Sequence, residues 1–314
     1  MKKLLLVAPE AFGIIDLVTE GIKIYTDYEV DFLNLQTPPF RYKNFGQRVN
    51  NFFRKRLKIT NVKKLKHEAI VTAAIDKLDK NYDTIIIIRP DLILDYNLKL
   101  LRDKTNFFVA YYWDTAAFFP RKIVIKNFFD KVYSFDEKDC KQYGFAFLSN
   151  FYFFEKQTKE RTCNVYNLST YDYRCNFLEN IAEKLKSINI SFCFKAYSSK
   201  DFESKNISKI STIINYTEML KEIAKADVLL DINKDHQNGL TFRPFEAMGL
   251  KKKLITNNKN ICSYDFYDEQ NILIIDAENP EIPASFFDKP YKELPLEIKE
   301  KYHLKNWINT LLSA

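Results

Sequence analysis

Residues Thr84 to Ile88 read Thr-Ile-Ile-Ile-Ile, an unbroken β-branched run with a charged or turn-forming residue on either side. Such a run suits a strand covered on both faces, which is the situation of a parallel sheet sandwiched between helices. The rest of the chain repeats the theme. Strands are expected at Lys2–Pro9, Val30–Leu35, Phe107–Tyr112 and Lys131–Ser134, with helical spacing at Phe12–Thr26, across the basic segment and Glu68–Lys80, at Asp91–Asp103 and at Ala117–Phe129. A polar stretch, Glu155–Thr162, interrupts the pattern and reads as a linker. Beyond it strands are expected at Asn164–Leu168, Phe192–Ala196, Thr212–Asn215, Val228–Ile232, around Leu254 and at Asn271–Ile275. Helices are expected at Asp172–Ser187, Tyr216–Ala224 and Leu296–Leu312. Alternation of this kind predicts α/β architecture with right-handed crossovers. A length of 314 residues suits two domains, set at 1–155 and 156–296, with a closing helix at 297–314.

Composition removes several classes. No run of about 18 apolar residues is present, so no membrane-spanning helix is expected. The start, MKKLLLVAP, is too short in its apolar part for a signal peptide and reads as the first strand. The 5 cysteines are odd in number and scattered, which points to free thiols in the cytoplasm, not to a disulfide framework. His67, His236 and His303 lie far apart, and no metal-ligand spacing, P-loop or Gly-x-Ser-x-Gly is present. The first loop, Ala8–Gly13, is poor in glycine and lacks the dinucleotide fingerprint, which argues against a dehydrogenase.

The stretch Ala226–Asn257 carries the chemistry. A buried strand runs into a polar loop, then a very short helix from Pro244 to Gly249, then another strand. Proline early in a helix and glycine at its end are favoured punctuation. A helix N-terminus at the carboxyl end of a strand presents backbone N–H groups to an anion. Within this stretch, Phe245-Glu246-Ala247-Met248-Gly249 resembles the donor-binding segment of GT-B glycosyltransferases, most of all the CgeB-like and group 1 enzymes of bacterial lipopolysaccharide or capsule synthesis. That family's first glutamate falls eight positions before Glu246, where this chain has Asn238.

The resemblance implies two Rossmann-like domains facing across a cleft, a last helix crossing back to the first domain, and transfer of a hexose-like sugar from a nucleotide-diphosphate sugar to a glycan or glycolipid acceptor. It implies no cofactor, and, in the absence of Asp-x-Asp, no metal; it also implies retention of anomeric configuration. Glu246 is the candidate for the ribose hydroxyls, because two carboxylate oxygens accept from two adjacent hydroxyls. The plainer alternative is a first-turn acid that steadies the helix. An alanine at this position is expected to abolish transfer and leave folding unchanged. Arg243, Arg174 and Lys195 are candidates for the diphosphate, with Ser169 and the loop Asn238, Gly239, Leu240 and Thr241; Tyr216 lies near the base, and His236 near the sugar.

In the first half, Asp114 is the candidate to orient or deprotonate the acceptor hydroxyl, with Trp113 and Arg89 as acceptor contacts. Core packing for Trp113 and a helix cap for Asp114 are the alternatives. An inactive GT-B scaffold and a sugar-nucleotide epimerase of the same fold remain alternative readings of the whole.

Net charge is +7 and unevenly spread. Between Arg41 and Lys66 stand ten basic residues and no acid, interleaved with Phe45, Val49, Phe52, Phe53 and Leu57. Two readings follow: a helix covering its own domain, or peripheral contact with an anionic membrane at the inner face of the cytoplasmic membrane. No nucleic-acid-binding module is present, so nucleic acid is not an expected partner.

Overall fold

The computed structural model describes residues 2–57, 59–79, 81–153, 160–235 and 237–313. The chain divides into two compact units: Met1–Ser134 with Asp139–Phe147 and Leu311–Ala314, and Phe135–Lys138 with Leu148–Thr310. Residues 155–159 of the expected linker, and with them the expected boundary, lie outside the described residues. Its described end joins the second unit, where Thr162 donates its backbone N–H to Lys225 at 2.9 Å.

The first unit runs β1 (Lys2–Ala8), α1 (Ile14–Tyr25), β2 (Tyr28–Asn34), α2 (Phe45–Arg56), α3 (Val62–Ile75), β3 (Tyr82–Ile88), α4 (Asp95–Arg102), β4 (Thr105–Tyr112), α5 (Arg121–Val124), β5 (Lys131–Ser134), α6 (Glu137–Tyr143) and β6 (Ala146–Phe147). Its sheet has the order β2-β1-β3-β4-β5-β6, with every pair parallel. Thr84 to Ile88 are all buried, as the run predicts. Because side chains alternate across a strand, Leu5, Val7, Ile85 and Ile87 share one core with Val71, Ile75, Leu98 and Leu101 of the covering helices.

The second unit runs β7 (Cys163–Thr170), α7 (Cys175–Ser187), β8 (Phe192–Tyr197), β9 (Ile207–Ile210), α8 (Tyr216–Ile223), β10 (Ala226–Asp231), α9 (Phe242–Gly249), β11 (Lys253–Thr256), β12 (Ile272–Ile274), α10 (Ser285–Asp288), α11 (Leu296–Lys301) and α12 (Leu304–Leu312). Its order is β12-β11-β10-β7-β8-β9, again parallel throughout. Strand order reverses between β7 and β10, the kind of place where open α/β sheets bind ligands.

Three expectations are corrected. Ala117–Phe129 is not one continuous helix, because Pro120 disfavours helical backbone just before it; only α5 and a 3-10 turn at Lys126–Phe128 follow. The strand expected at Thr212–Asn215 lies instead at Ile207–Ile210, and the Asn215 side chain caps α8 by accepting from Thr217 N–H at 2.9 Å. The closing helix breaks at Tyr302–His303, where the backbone exchanges hydrogen bonds with Tyr152 (Tyr152 N to Tyr302 O, 3.0 Å; Leu304 N to Tyr152 O, 2.7 Å).

Candidate functional site

Helix α9 begins two residues earlier than its proline suggests. Thr241 is the N-cap, its hydroxyl oxygen accepting from Arg243 N–H at 3.1 Å and donating its proton to Asp231 Oδ2 at 2.8 Å. One hydroxyl thus ties the helix start to the end of β10. The shift moves Glu246 out of the first turn, which holds no acid, so helix-end stabilisation does not account for it.

Glu246 is instead 2% exposed. Its Oε1 accepts from the Tyr216 hydroxyl at 2.7 Å and its Oε2 from Arg243 Nη1 at 2.6 Å. Burial, followed by the Glu246 charge, pushes the Tyr216 phenol well above its ordinary value, so it stays a donor. The Arg243 side chain is itself only 11% exposed. Removing either member of such a pair strands a buried charge. An alanine at position 246 is therefore expected to cost stability as well as transfer.

The pair forms one wall of a cavity of about 200 Å³. Asn167, Leu168 and Ser169 at the end of β7 and Leu230, Asp231 and Ile232 at the end of β10 form the floor, and Arg174 and Leu178 of the α7 segment close another side. The cavity therefore sits at the reversal of strand order. Whole small-molecule ligands usually occupy roughly 300–1,000 Å³, so this volume holds one polar end of a ligand.

Arg174 clamps Asp172 with two parallel bonds, Nε to Oδ1 at 2.9 Å and Nη2 to Oδ2 at 2.8 Å, and gives Nη1 to the Ile232 carbonyl at 2.9 Å. Burial works against the Arg174 charge, but Asp172 outweighs it and raises the guanidinium further. Desolvation raises the Asp231 carboxyl, against the pull of Thr241 and Arg243. Two atoms in this wall are buried without a partner, Asn167 Oδ1 and Ser169 Oγ. An unsatisfied buried polar atom costs about 1–3 kcal/mol, and such atoms persist where a ligand completes them. Asp231 and Asn167 are absent from the sequence reading. The available signal was an acid closing the buried Val-Leu-Leu run of β10.

Of the remaining sequence candidates, Tyr216 stands behind Glu246, not in the cavity lining. Lys195 does not join the site; it pairs with Glu222 at 2.8 Å, and that bond raises its amine. Asn238, Gly239 and Leu240 spend their backbone on packing. The Asn238 carbonyl accepts from Asn260 Nδ2 at 3.0 Å, Gly239 N–H donates to Asp136 Oδ2 at 3.2 Å, and the Leu240 carbonyl accepts from Asn150 Nδ2 at 2.9 Å. A Cβ on Gly239 would lie 2.6 Å from the Phe135 ring, so close approach requires glycine there. His236 lies outside the described residues.

In the first unit the ends of β3 and β4 meet. Arg89, at φ 63°, joins Asp91 (Nη2 to Oδ2, 2.9 Å) to Asp114 (Nη1 to Oδ2, 3.1 Å) and lies 3.9 Å from the Phe119 ring centre. Asp114 keeps 36% of its side chain open to solvent. The cap alternative is corrected, because the next helix starts from Pro120. Trp113 is half-buried beside it. Beneath lies Lys122, fully buried, donating Nζ to the Asp114 carbonyl at 2.7 Å between the rings of Tyr112 and Phe119. Burial pulls its amine down to about 8.

No protein-family model matches this chain, and no curated protein matches it by sequence. Solved structures do. A trehalose-6-phosphate synthase superposes with a TM-score of 0.59 at 11% identity, covering 100% of this chain and 99% of its own. A sucrose-phosphate synthase from Thermosynechococcus elongatus gives 0.57 at 12% identity, over 89% and 88% of the two chains. An α-glucosyltransferase in complex with UDP-glucose and DNA containing an abasic site gives 0.56 at 13% identity, over 99% and 95%. These neighbours are glycosyltransferases of GT-B type, and the two six-stranded parallel α/β units of this chain share their fold.

Proposed function

We propose that the chain is a glycosyltransferase that moves a hexose-like sugar from a nucleoside-diphosphate donor to a glycan or lipid-linked acceptor. Its setting in this reading is bacterial surface-polysaccharide synthesis of the CgeB-like and group 1 kind. The observation that supports it is the cavity at the β7/β10 reversal, where a buried glutamate and two arginines surround polar atoms that lack partners.

Ribose hydroxyls would donate to the Glu246 carboxylate, displacing part of the Tyr216 and Arg243 hydrogen bonding. Arg243 and Arg174 would then turn toward the diphosphate, and Ser169 Oγ would donate to it. In the reaction the bond from sugar C1 to the diphosphate oxygen breaks and its electron pair stays on phosphate. C1 bonds to the acceptor oxygen, and the acceptor's proton leaves to a phosphate oxygen or to a carboxylate. Cations placed on the departing phosphate lower that barrier, so in this reading no metal is needed. Asp114 orients the acceptor hydroxyl, with Arg89 fixing the carboxylate and Trp113 offering a face to a sugar ring. Asn238 would bond a donor hydroxyl in place of the family's first glutamate, and the anomeric configuration is retained.

An inactive scaffold is favoured by a different fact: both arginines of the cavity already hold carboxylate partners, Glu246 and Asp172. Thermal unfolding in the presence of UDP, GDP, CMP and dTDP separates the readings. A nucleotide at 100 times its dissociation constant stabilises by about 2.7 kcal/mol. The enzyme reading expects one nucleotide to do so and its sugar conjugate to be hydrolysed or transferred. Stabilisation without turnover, or no shift with any nucleotide, supports the scaffold and contradicts the enzyme reading.

A further inference from the structure

Helix α2 is built inside out. The side chain it buries most completely is Asn51, 2% exposed, whose Nδ2 donates to the Tyr42 hydroxyl at 2.8 Å and whose Oδ1 accepts from Val62 N–H at 2.8 Å. Arg54 Nε holds the same side by donating to the Thr60 carbonyl at 2.8 Å. The apolar residues point the other way: Phe45 is 78% exposed, Phe52 61%, Phe53 54% and Leu57 67%, with Ile59 at 48% just beyond. The Asn51 amide is satisfied by its partners, but in water alone the exposed rings forgo the free energy that burial would give them. Single exposed apolar residues need no explanation, but five within 15 positions form a patch, and patches mark contact surfaces. Asn51 and Arg54 thus hold α2 to its own unit, and its other side is left open.

We infer that α2 docks the first unit onto an anionic lipid surface, with Phe45, Phe52, Phe53 and Leu57 entering the boundary between headgroups and acyl chains. Arg48, Lys55 and Arg56 are exposed on the same helix, and the segment from Arg41 to Lys66 contains no acid. A surface of that composition is complementary to lipid phosphates above a hydrocarbon layer. A second copy of the chain would bring two acid-free cationic faces together, which repel. A nucleic acid would satisfy the cations and stack on the rings, but it has no apolar layer for Leu57 and Ile59. Among the described residues no helix is long and apolar enough to cross a membrane. The surface stands on its own residues, independently of the α9 cavity.

The test is co-sedimentation of the full chain with phosphatidylcholine vesicles, plain or carrying about 30 mol% phosphatidylglycerol, at about 0.1 M salt. Two triple variants are compared, Phe45→Ser/Phe52→Ser/Phe53→Ser and Arg48→Glu/Lys55→Glu/Arg56→Glu. The wild type is expected to bind the anionic vesicles alone, and each variant to lose about tenfold or more in partitioning with its melting temperature unchanged. Absence of binding, equal binding to neutral vesicles, or variants that bind as the wild type does would overturn the inference. So would single- or double-stranded oligonucleotide binding that the same variants abolish, or a dimer in sedimentation velocity that they dissolve.

Discussion

Helices α2 and α9 break the same rule in opposite directions. Water places charge outside and hydrocarbon inside, yet α9 hides Glu246 and most of Arg243, while α2 hides Asn51 and shows three phenylalanines. The departures differ in what surrounds them. Around α9 lies a small cavity with unpartnered polar atoms, the complement of a small polar ligand. Along α2 lie exposed rings and cations in a segment without an acid, the complement of something broad, apolar and anionic. A violation of partitioning thus indicates the chemistry of the missing partner, provided its neighbourhood is considered with it.

That contrast is sharpest between phenylalanines. Phe245 on α9 is fully buried, its ring centre 5.6 Å from that of Tyr302 and 5.8 Å from that of Phe266. Phe245→Ala is expected to cost about 3–5 kcal/mol in urea unfolding, through lost burial and the cavity left behind. Glu246→Ala should cost about 3–5 kcal/mol as well, since Arg243 is left buried and unpaired. Glu246→Gln keeps the volume and one acceptor, and is expected to stay folded in the same assay.

Lys122 gives a pH signature in the first unit. Its amine sits at about 8, below its ordinary 10.5, so the folded state binds the proton more weakly than the unfolded chain does. The resulting penalty is complete below pH 8 and fades as pH rises toward 10.5. Stability should therefore rise by about 3 kcal/mol across that window. Lys122→Met should flatten this rise, as followed by denaturant midpoints at several pH values. The smallest effect is expected on α2: Phe52→Ala should change stability by less than about 0.5 kcal/mol, because the ring packs on so little. A loss there comparable to that of Phe245→Ala would mean that α2 is ordinary core.

Much of the architecture was legible in the chain. Runs such as Thr84–Ile88 and Val228–Leu230 are apolar on both faces and bounded by charged residues, which suits covered parallel strands. What was lost were segments governed by neighbours. Ala117–Phe129 has helical composition, yet Pro120 breaks its start and Lys122 is drawn beneath two rings. The Thr212–Asn215 stretch is β-branched, yet the edge of the sheet is filled by Ile207–Ile210. At the site, Glu246, Arg243, Thr241, Arg174 and Ser169 were visible because strand-end loops and a short helix fix their place. Lys195 looked equally suitable, and only the structure shows its amine held by Glu222. Asp231 was passed over because a strand's last residue looks the same in sequence whether it meets a cavity or solvent. The direction of the α2 phenylalanines could not be read either, since periodicity shows that a face exists but not which way it turns.

The account rests on the α9 cavity taking the ribose and diphosphate of a nucleotide. The most direct measurement is calorimetric titration of UDP, GDP, CMP and dTDP into the wild type and into Glu246→Gln, with folding of both confirmed by circular dichroism. One nucleotide should bind the wild type, and its dissociation constant should weaken by about tenfold or more, about 1.4 kcal/mol, in the variant. Equal affinity for the two proteins, or no binding to the wild type by any of the four, would contradict the claim.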